Sequence, residues 1–153
     1  MQSASHFNPL WLLPIFPIFF VALWSLISFV ISRLSGWSAL SDRFRATQPF
    51  SGPTWKWQSA RMRLGANYGN SLIVGADPAG LFLATIFVFR LGHVPLFLPW
   101  HEISIQGRGQ ILTFAYLKLV LGRDEQIPFQ ISGRLADRIR AAAGTSWPVE
   151  PRG

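Results

Sequence analysis

Residues 81–100 read LFLATIFVFRLGHVPLFLPW. Taken as one apolar helix, the stretch is a second membrane span; taken as strands joined by a corner, it is the centre of a β domain. Arg90 falls near its middle, where a charge in hydrocarbon costs about 3 kcal/mol or more. Gly92, Pro95 and Pro99 follow, and a proline inside a helix removes a hydrogen bond and clashes with the preceding turn. Two buried strands fit better. The first, 81–89, is apolar on both faces and rich in β-branched and aromatic residues, as a central strand requires.

With that stretch assigned to a β domain, one span is left. Residues 10–31 read LWLLPIFPIFFVALWSLISFVI, and no formal charge occurs in the first 32 residues. Such a helix is about 33 Å long, enough for a hydrocarbon core of roughly 30 Å. Pro14 and Pro17 fall in its first turns, where a kink costs least. Trp11 and Trp24 are candidate interfacial rings, and Trp37 just beyond is either such a ring or a packing residue against the domain. A cleaved signal peptide would need a basic leader, a shorter apolar run and a small-residue cleavage site, and the sequence offers none of these. No Lys or Arg precedes the span, whereas Arg33, Arg43 and Arg45 follow it. The positive-inside rule then puts residues 1–9 outside and the rest of the chain in the cytoplasm of a cell whose inner membrane holds the 10–32 helix.

All 14 Lys/Arg and all 7 Asp/Glu of the 153 residues lie beyond that helix, giving a small domain the whole net charge of +7. Charge of that sign attracts anionic lipid head groups, acidic protein faces or nucleic acid. The absence of cysteine excludes disulfides and thiol chemistry. Leu34, Trp37, Leu40 and Phe44 recur at helical spacing and predict a short amphipathic helix over 35–45, with a linker to residue 53.

From residue 54 the pattern turns to strands. In TWKWQSARMRL the apolar set shifts from Trp55 and Trp57 to Ala60, Met62 and Leu64, so the phase slips near Gln58, as at a β-bulge. Further strands are expected over 67–75, 101–106, 110–121 and 126–131. Turns are expected at Asp77-Pro78-Ala79-Gly80, at Gly107-Arg108-Gly109 as a hairpin, and over 122–125. A last helix follows Ser132, with Leu135, Ile139 and Ala142 or Ala143 on one face and Gly144 as its cap. Residues 145–153 read as a loose tail. The fold class expected is α+β: one transmembrane helix, then a small antiparallel β barrel or sandwich over 54–144, pleckstrin-homology-like, closed by a C-terminal helix.

The signatures GWSALSDRF (36–44), GLFLATIFVFRLGHVPLFLPWHEI (80–103) and LADRIRAA (135–142) resemble a group of uncharacterised bacterial single-pass membrane proteins. That resemblance implies a PH-like or GRAM-like domain behind the anchor and carries no assigned activity.

Reactive groups are sparse. Asp77, Asp124 and Glu125 fall in turns, and Asp42 and Asp137 stand beside arginines on helices. His101 and Glu102, the one adjacent base and carboxylate, face opposite sides if they lie on a strand. Three histidines at 6, 93 and 101 give no metal-ligand spacing. No catalytic residue, metal site or cofactor is therefore expected, and no recognition helix or aromatic platform suggests nucleic acid. The binding candidates are basic. Lys56, Arg61 and Arg63 spell K-x4-R-x-R on the first strand, either a solvated face or a grip on anionic head groups or an acidic partner. Arg90 and His93 occupy the corner between apolar strands, where glycine, proline and arginine also serve plain structural needs. The expected function is a non-catalytic scaffold or accessory subunit of a larger integral membrane complex; the alternative is a tethered module for anionic membrane lipids.

Overall fold

The computed structural model describes residues 9–151. A single 3-10 turn, Pro9–Trp11, leads into helix α1 (Leu12–Ser35), and a left-handed Gly36 turns the chain into α2 (Trp37–Phe44). The side chain of Trp11 and most of the N-terminal segment 1–9 lie outside the described residues. Seven strands follow: β1 (Thr54–Arg61), β2 (Asn67–Ala76), β3 (Gly80–Thr85), β4 (Leu96–Pro99), β5 (Ile103–Ile111), β6 (Phe114–Leu121) and β7 (Ile127–Ser132). Helix α3 (Gly133–Ala143) closes the chain, with Ser132 Oγ accepting from Leu135 N–H at its start and Gly144 at φ +60° at its end. The α+β layout expected from sequence is the one observed.

All seven strands pair antiparallel in one curled sheet of order β4-β3-β2-β1-β7-β6-β5, a half-barrel. The curl comes from β1. Its register against β2 shifts on both sides of Gln58, Trp57 adopts φ +59°, and Asn70 opposite adopts φ +49°. Ser59 Oγ donates to Asn70 Oδ1 and accepts from Asn70 N–H, fixing the kink. Bulges on both strands let β1 leave β2 and reach β7 through Ala60 and Arg61. The phase slip at Gln58 is this bend. Inside the curl pack Leu72, Leu83, Leu98, Leu117, Leu119, Phe129 and Ile139, all essentially without solvent contact.

Five expectations need correction. The strand begun at residue 81 stops at Thr85; Phe87–Phe89 is a 3-10 turn, and Phe87, Val88 and Leu91 are exposed to 83%, 52% and 57%. Gly107 to Gly109 is no hairpin. β5 runs through it with a bulge after Ile105, and Gly109 is small because the Tyr116 ring lies across it, where a Cβ would sit 2.3 Å away. The turn is at Leu112, which accepts φ +55°. Leu34 belongs to α1 and is exposed, so it takes no part in the amphipathic helix. His101 and Glu102 lie in a 3-10 turn, Trp100–Glu102, that brings His101 Nε2 to 3.8 Å from Glu102 Oε1, too far for a hydrogen bond. The C-terminal segment is tied down: Trp147 packs edge-on against Trp100 at 5.7 Å, and Glu150 pairs with Arg108 at 2.9 Å.

The linker after α2 is also fastened. Ala46 N–H donates to Pro95 O, and Phe50 stacks on Phe82 with centroids 4.9 Å apart.

Candidate functional site

Antiparallel alternation puts the β1–β2, β3–β4 and β6–β7 connections at one end of the half-barrel, and the α1–α2 junction sits over that end. Gly36 lies so close to Ile127 at the start of β7 that a Cβ would meet Ile127 Cδ1 at 2.5 Å. The Arg63–Gly65 turn between β1 and β2 packs beside α1. Arg43 of α2 clasps the β6–β7 turn, with Nη1 2.6 Å from Asp124 and 3.1 Å from Glu125, and with Nη2 3.5 Å from Glu102. These carboxylates raise the Arg43 pKa further, the Glu125 hydrogen bond being the largest cause.

Beneath the junction runs a buried polar seam. Trp37, read from sequence as a packing residue or an interfacial ring, is fully buried. Its Nε1 donates to Val94 O at 2.9 Å and its ring stands 5.2 Å from the His93 ring. Tyr68 Oη lies 2.8 Å from both Ser35 Oγ and His93 Nε2. His93 Nδ1 lies 3.4 Å from Leu91 O, which assigns its proton there and leaves Nε2 to accept from Tyr68. Tyr68 in turn accepts from Ser35, whose oxygen also takes the Trp37 N–H at 3.4 Å. Ser32 Oγ donates to Gly92 O. Helix, sheet and corner loop are thus linked by hydrogen bonds that leave none of these hydroxyl or imidazole groups bare.

Burial lowers the His93 pKa from its usual 6.5, against the opposing pull of the Leu91 and Phe89 carbonyls, and pushes the Tyr68 phenol up to about 12. The imidazole is therefore neutral in the fold at neutral pH. Between its lowered folded value and 6.5 the unfolded chain binds the extra proton, so stability is full above 6.5 and declines as pH falls below it. Among the described residues no ionisable partner other than Tyr68 touches the ring, and Tyr68, pushed up to about 12, does not titrate in this range. Unfolding midpoints followed from neutral pH down to about 5 should fall more steeply in the native chain than in His93→Gln. Parallel curves would mean that His93 accepts its proton without strain.

The basic candidates do not converge. Lys56 lies near the far end of β1, five residues or about 16 Å from Arg61. Arg61 and Arg63 are both exposed and flank the buried Met62 at the end beside α1. Arg90 is exposed on the corner loop, and His93 is sequestered in the seam. Trp24 is not at a helix end. It sits mid-helix, half-buried, donating from Nε1 to Val88 O at 3.0 Å and packing on Phe89 at 5.2 Å.

The sequence reading missed Ser35 and Tyr68, and a signal for the first was present. Ser25, Ser28, Ser32 and Ser35 recur at three and four residues along a helix that is otherwise apolar but for Arg33, and Ser28–Ser32 is a small-xxx-small pair. Ser28, Ser32 and Ser35 are buried, although most of α1 is exposed. That stripe is the face on which the domain is mounted.

Among the described residues no group of three or more His, Asp or Glu is placed to hold a metal ion. One helix, Leu13–Ser35, is long and apolar enough to cross a membrane. Comparison with protein-family models, with curated proteins and with solved structures finds no match.

Proposed function

We propose that the chain is a non-catalytic, membrane-anchored scaffold or accessory subunit of a larger integral membrane complex, with α1 crossing the inner membrane and the half-barrel docked in the cytoplasm. The observation that carries this reading is the seam: Ser32, Ser35, Trp37, Tyr68 and His93 lock the base of the helix into the sheet. A domain on a loose tether samples many orientations, whereas this one has a fixed height and tilt relative to its helix, as a docking platform needs. The exposed apolar faces of α1 leave surface for lipid or neighbouring helices. Arg33, Arg43 and Arg45 at its C-terminal side support the cytoplasmic orientation.

A second reading has its own support. Arg61 and Arg63 lie at the end of the half-barrel that abuts α1, where head groups of the membrane would be met. In it the anchor supplies effective concentration and the arginines bind anionic phosphate.

Purification of the tagged full-length chain in mild detergent, with mass spectrometry of the co-purifying species, separates the two. The scaffold reading expects a stoichiometric integral membrane complex that persists in high salt and in the Arg61→Ala/Arg63→Ala double variant, because docking through apolar contacts is little screened. A lone chain carrying anionic lipid that is lost in high salt and in the double variant would overturn it in favour of the second reading.

A further inference from the structure

We propose that the corner loop between β3 and β4, residues 86–92, is a membrane-inserted wedge, with Phe87, Val88 and Leu91 lying among the acyl chains of the bilayer that α1 crosses. The inference rests on α1 being a membrane span.

Position is the first argument. The loop does not fold back over the sheet but climbs α1 toward its N-terminus. Gly92 lies against Phe29 and Ser32, where a Cβ would come within 3.4 Å of both, and its carbonyl takes the Ser32 hydroxyl. Val88 lies at the level of Trp24, which hydrogen-bonds its carbonyl. Trp24 precedes Arg33, the first charge, by nine residues, about 13 Å of helix. If Arg33 sits at the head groups, the tip of the loop is well inside a hydrocarbon half-layer of about 15 Å.

Chemistry is the second. IFVFRLG has one polar side chain in seven, and Phe87 is the most exposed described phenylalanine, at 83%. Phe87, Val88 and Leu91 continue the apolar surface of Phe20 and Val21 across an open groove of about 610 Å³. In water such a surface is a liability; in lipid it is ordinary. Arg90 is exposed and can lay its stem along the apolar wall while the guanidinium reaches back to phosphate.

The third argument decides. Irregular backbone at membrane depth requires partners for its carbonyls from within the protein. Along this loop Ile86, Phe87 and Arg90 O accept from Phe89, Arg90 and His93 N–H at 3.0, 3.2 and 3.1 Å. Val88 O accepts from Trp24, Leu91 and Phe89 O face the His93 imidazole, and Gly92 O accepts from Ser32. Six of the seven carbonyls from Ile86 to Gly92 have a donor at hydrogen-bond distance, two of them supplied by side chains of α1. A water-exposed turn needs no such provision.

The absence of cysteine makes a direct test clean. Phe87→Cys, with Leu91→Cys as a second reporter, is labelled with the environment-sensitive fluorophore NBD in the full-length chain. The protein is then reconstituted in phosphatidylcholine vesicles with or without doxyl-labelled lipid. Ile18→Cys reports the span and Thr113→Cys, on the β5–β6 turn, reports water; variants are used only if they keep the native unfolding midpoint. The wedge predicts blue-shifted emission and doxyl quenching at 87 and 91 that approach those at 18 and exceed those at 113 several-fold. Quenching at 18 with aqueous behaviour at 87 and 91 overturns the wedge and leaves the span intact. Blue-shifted but unquenched labels at 87 and 91 overturn it in favour of a protein occupant. Aqueous behaviour at 18 overturns the span and the wedge together.

Discussion

Alanine at Trp37 is expected to lower the unfolding free energy by about 3–5 kcal/mol, the range for removing a buried indole. The ring is fully enclosed between α2 and the sheet, touching Tyr68 at 5.8 Å and His93 at 5.2 Å between centroids. Its loss opens a cavity beside two polar groups that depend on one another for hydrogen bonds. It also strips the part-buried Val94 carbonyl of its donor, a further penalty of about 1 kcal/mol, the low end for an unsatisfied acceptor. Small domains have roughly 5–15 kcal/mol in all, so much of the population would lose the mount between helix and sheet. Trp37→Phe separates the two contributions, because it keeps most of the apolar volume and removes only the N–H. Denaturant unfolding of the detergent-solubilised chain, followed by far-ultraviolet circular dichroism, should rank native above Phe above Ala. A Trp37→Ala midpoint indistinguishable from native would show that the α2–sheet contact is not part of the cooperative unit.

What could be read in the sequence, and what could not, follows from how locally each feature is specified. The helix long and apolar enough to cross a membrane declares itself by composition. The bend of β1 shows as a slip in apolar phase at Gln58, because a bulge must move side chains from one face to the other. Asp77 announces its turn because its carboxylate accepts the Ala79 and Gly80 N–H groups two and three residues on, and α3 carries both a serine cap and a terminal glycine. By contrast, Leu112 and Leu64 adopt φ +55° and +56°. Branched residues disfavour that region, so no propensity points to a turn there. Gly107 and Gly109 imitate a hairpin, yet Gly109 is required by a Tyr116 ring on the neighbouring strand, which only tertiary structure reveals. The tail failed for the same reason: Trp147 and Glu150 have partners some 40 residues or more away, at Trp100 and Arg108.

The corner loop is legible as unusual but not as an exposed 3-10 turn. An apolar run signals removal from water without saying whether a sheet, a helix or lipid removes it, and on that ambiguity residues 86–89 read as the end of a strand. His93 stood out because a histidine amid glycine and prolines is conspicuous. Ser35 and Tyr68 did not, since each is unremarkable in its own element, and the seam exists only where α1, β2 and the loop meet. The basic set suffered the opposite fate. Lys56, Arg61 and Arg63 look like a motif in one dimension, and strand rise separates Lys56 from the two arginines in three.

Gly80→Ala should be the second most damaging substitution, with an expected loss of about 3 kcal/mol, the upper part of the range for forced overpacking. A Cβ built at Gly80 lies 2.3 Å from Leu98 O and 3.0 Å from Leu98 C. Those atoms are backbone of the paired strand β4, so no rotamer change relieves the clash. Gly80 itself cannot retreat: its N–H donates to Asp77 Oδ1 at 3.0 Å and its carbonyl accepts from Asp77 N–H at 3.1 Å. Strands β3 and β4 must part, and Trp100, whose Nε1 donates to Asp77 O at 2.8 Å next to the same corner, is disturbed with them. Gly69→Ala is the matched control, because nothing lies within 4 Å of its Cβ position, and a surface change of that kind stays within about 0.5 kcal/mol. Hydrogen exchange should localise the damage: amides of β3 and β4 lose protection in Gly80→Ala while β6 and β7, on the other side of β1, keep theirs. Since β3 and β4 hold the two ends of the loop that climbs α1, the same variant should also loosen the contact between Trp24 and Phe89, visible as a change in tryptophan emission that Gly69→Ala does not share. Equal stability of the two alanine variants would mean that β4 is not held against β3 as tightly as the Gly80↔Pro99 and Leu81↔Leu98 register requires, and the loop would then have to be positioned by its contacts with α1 alone.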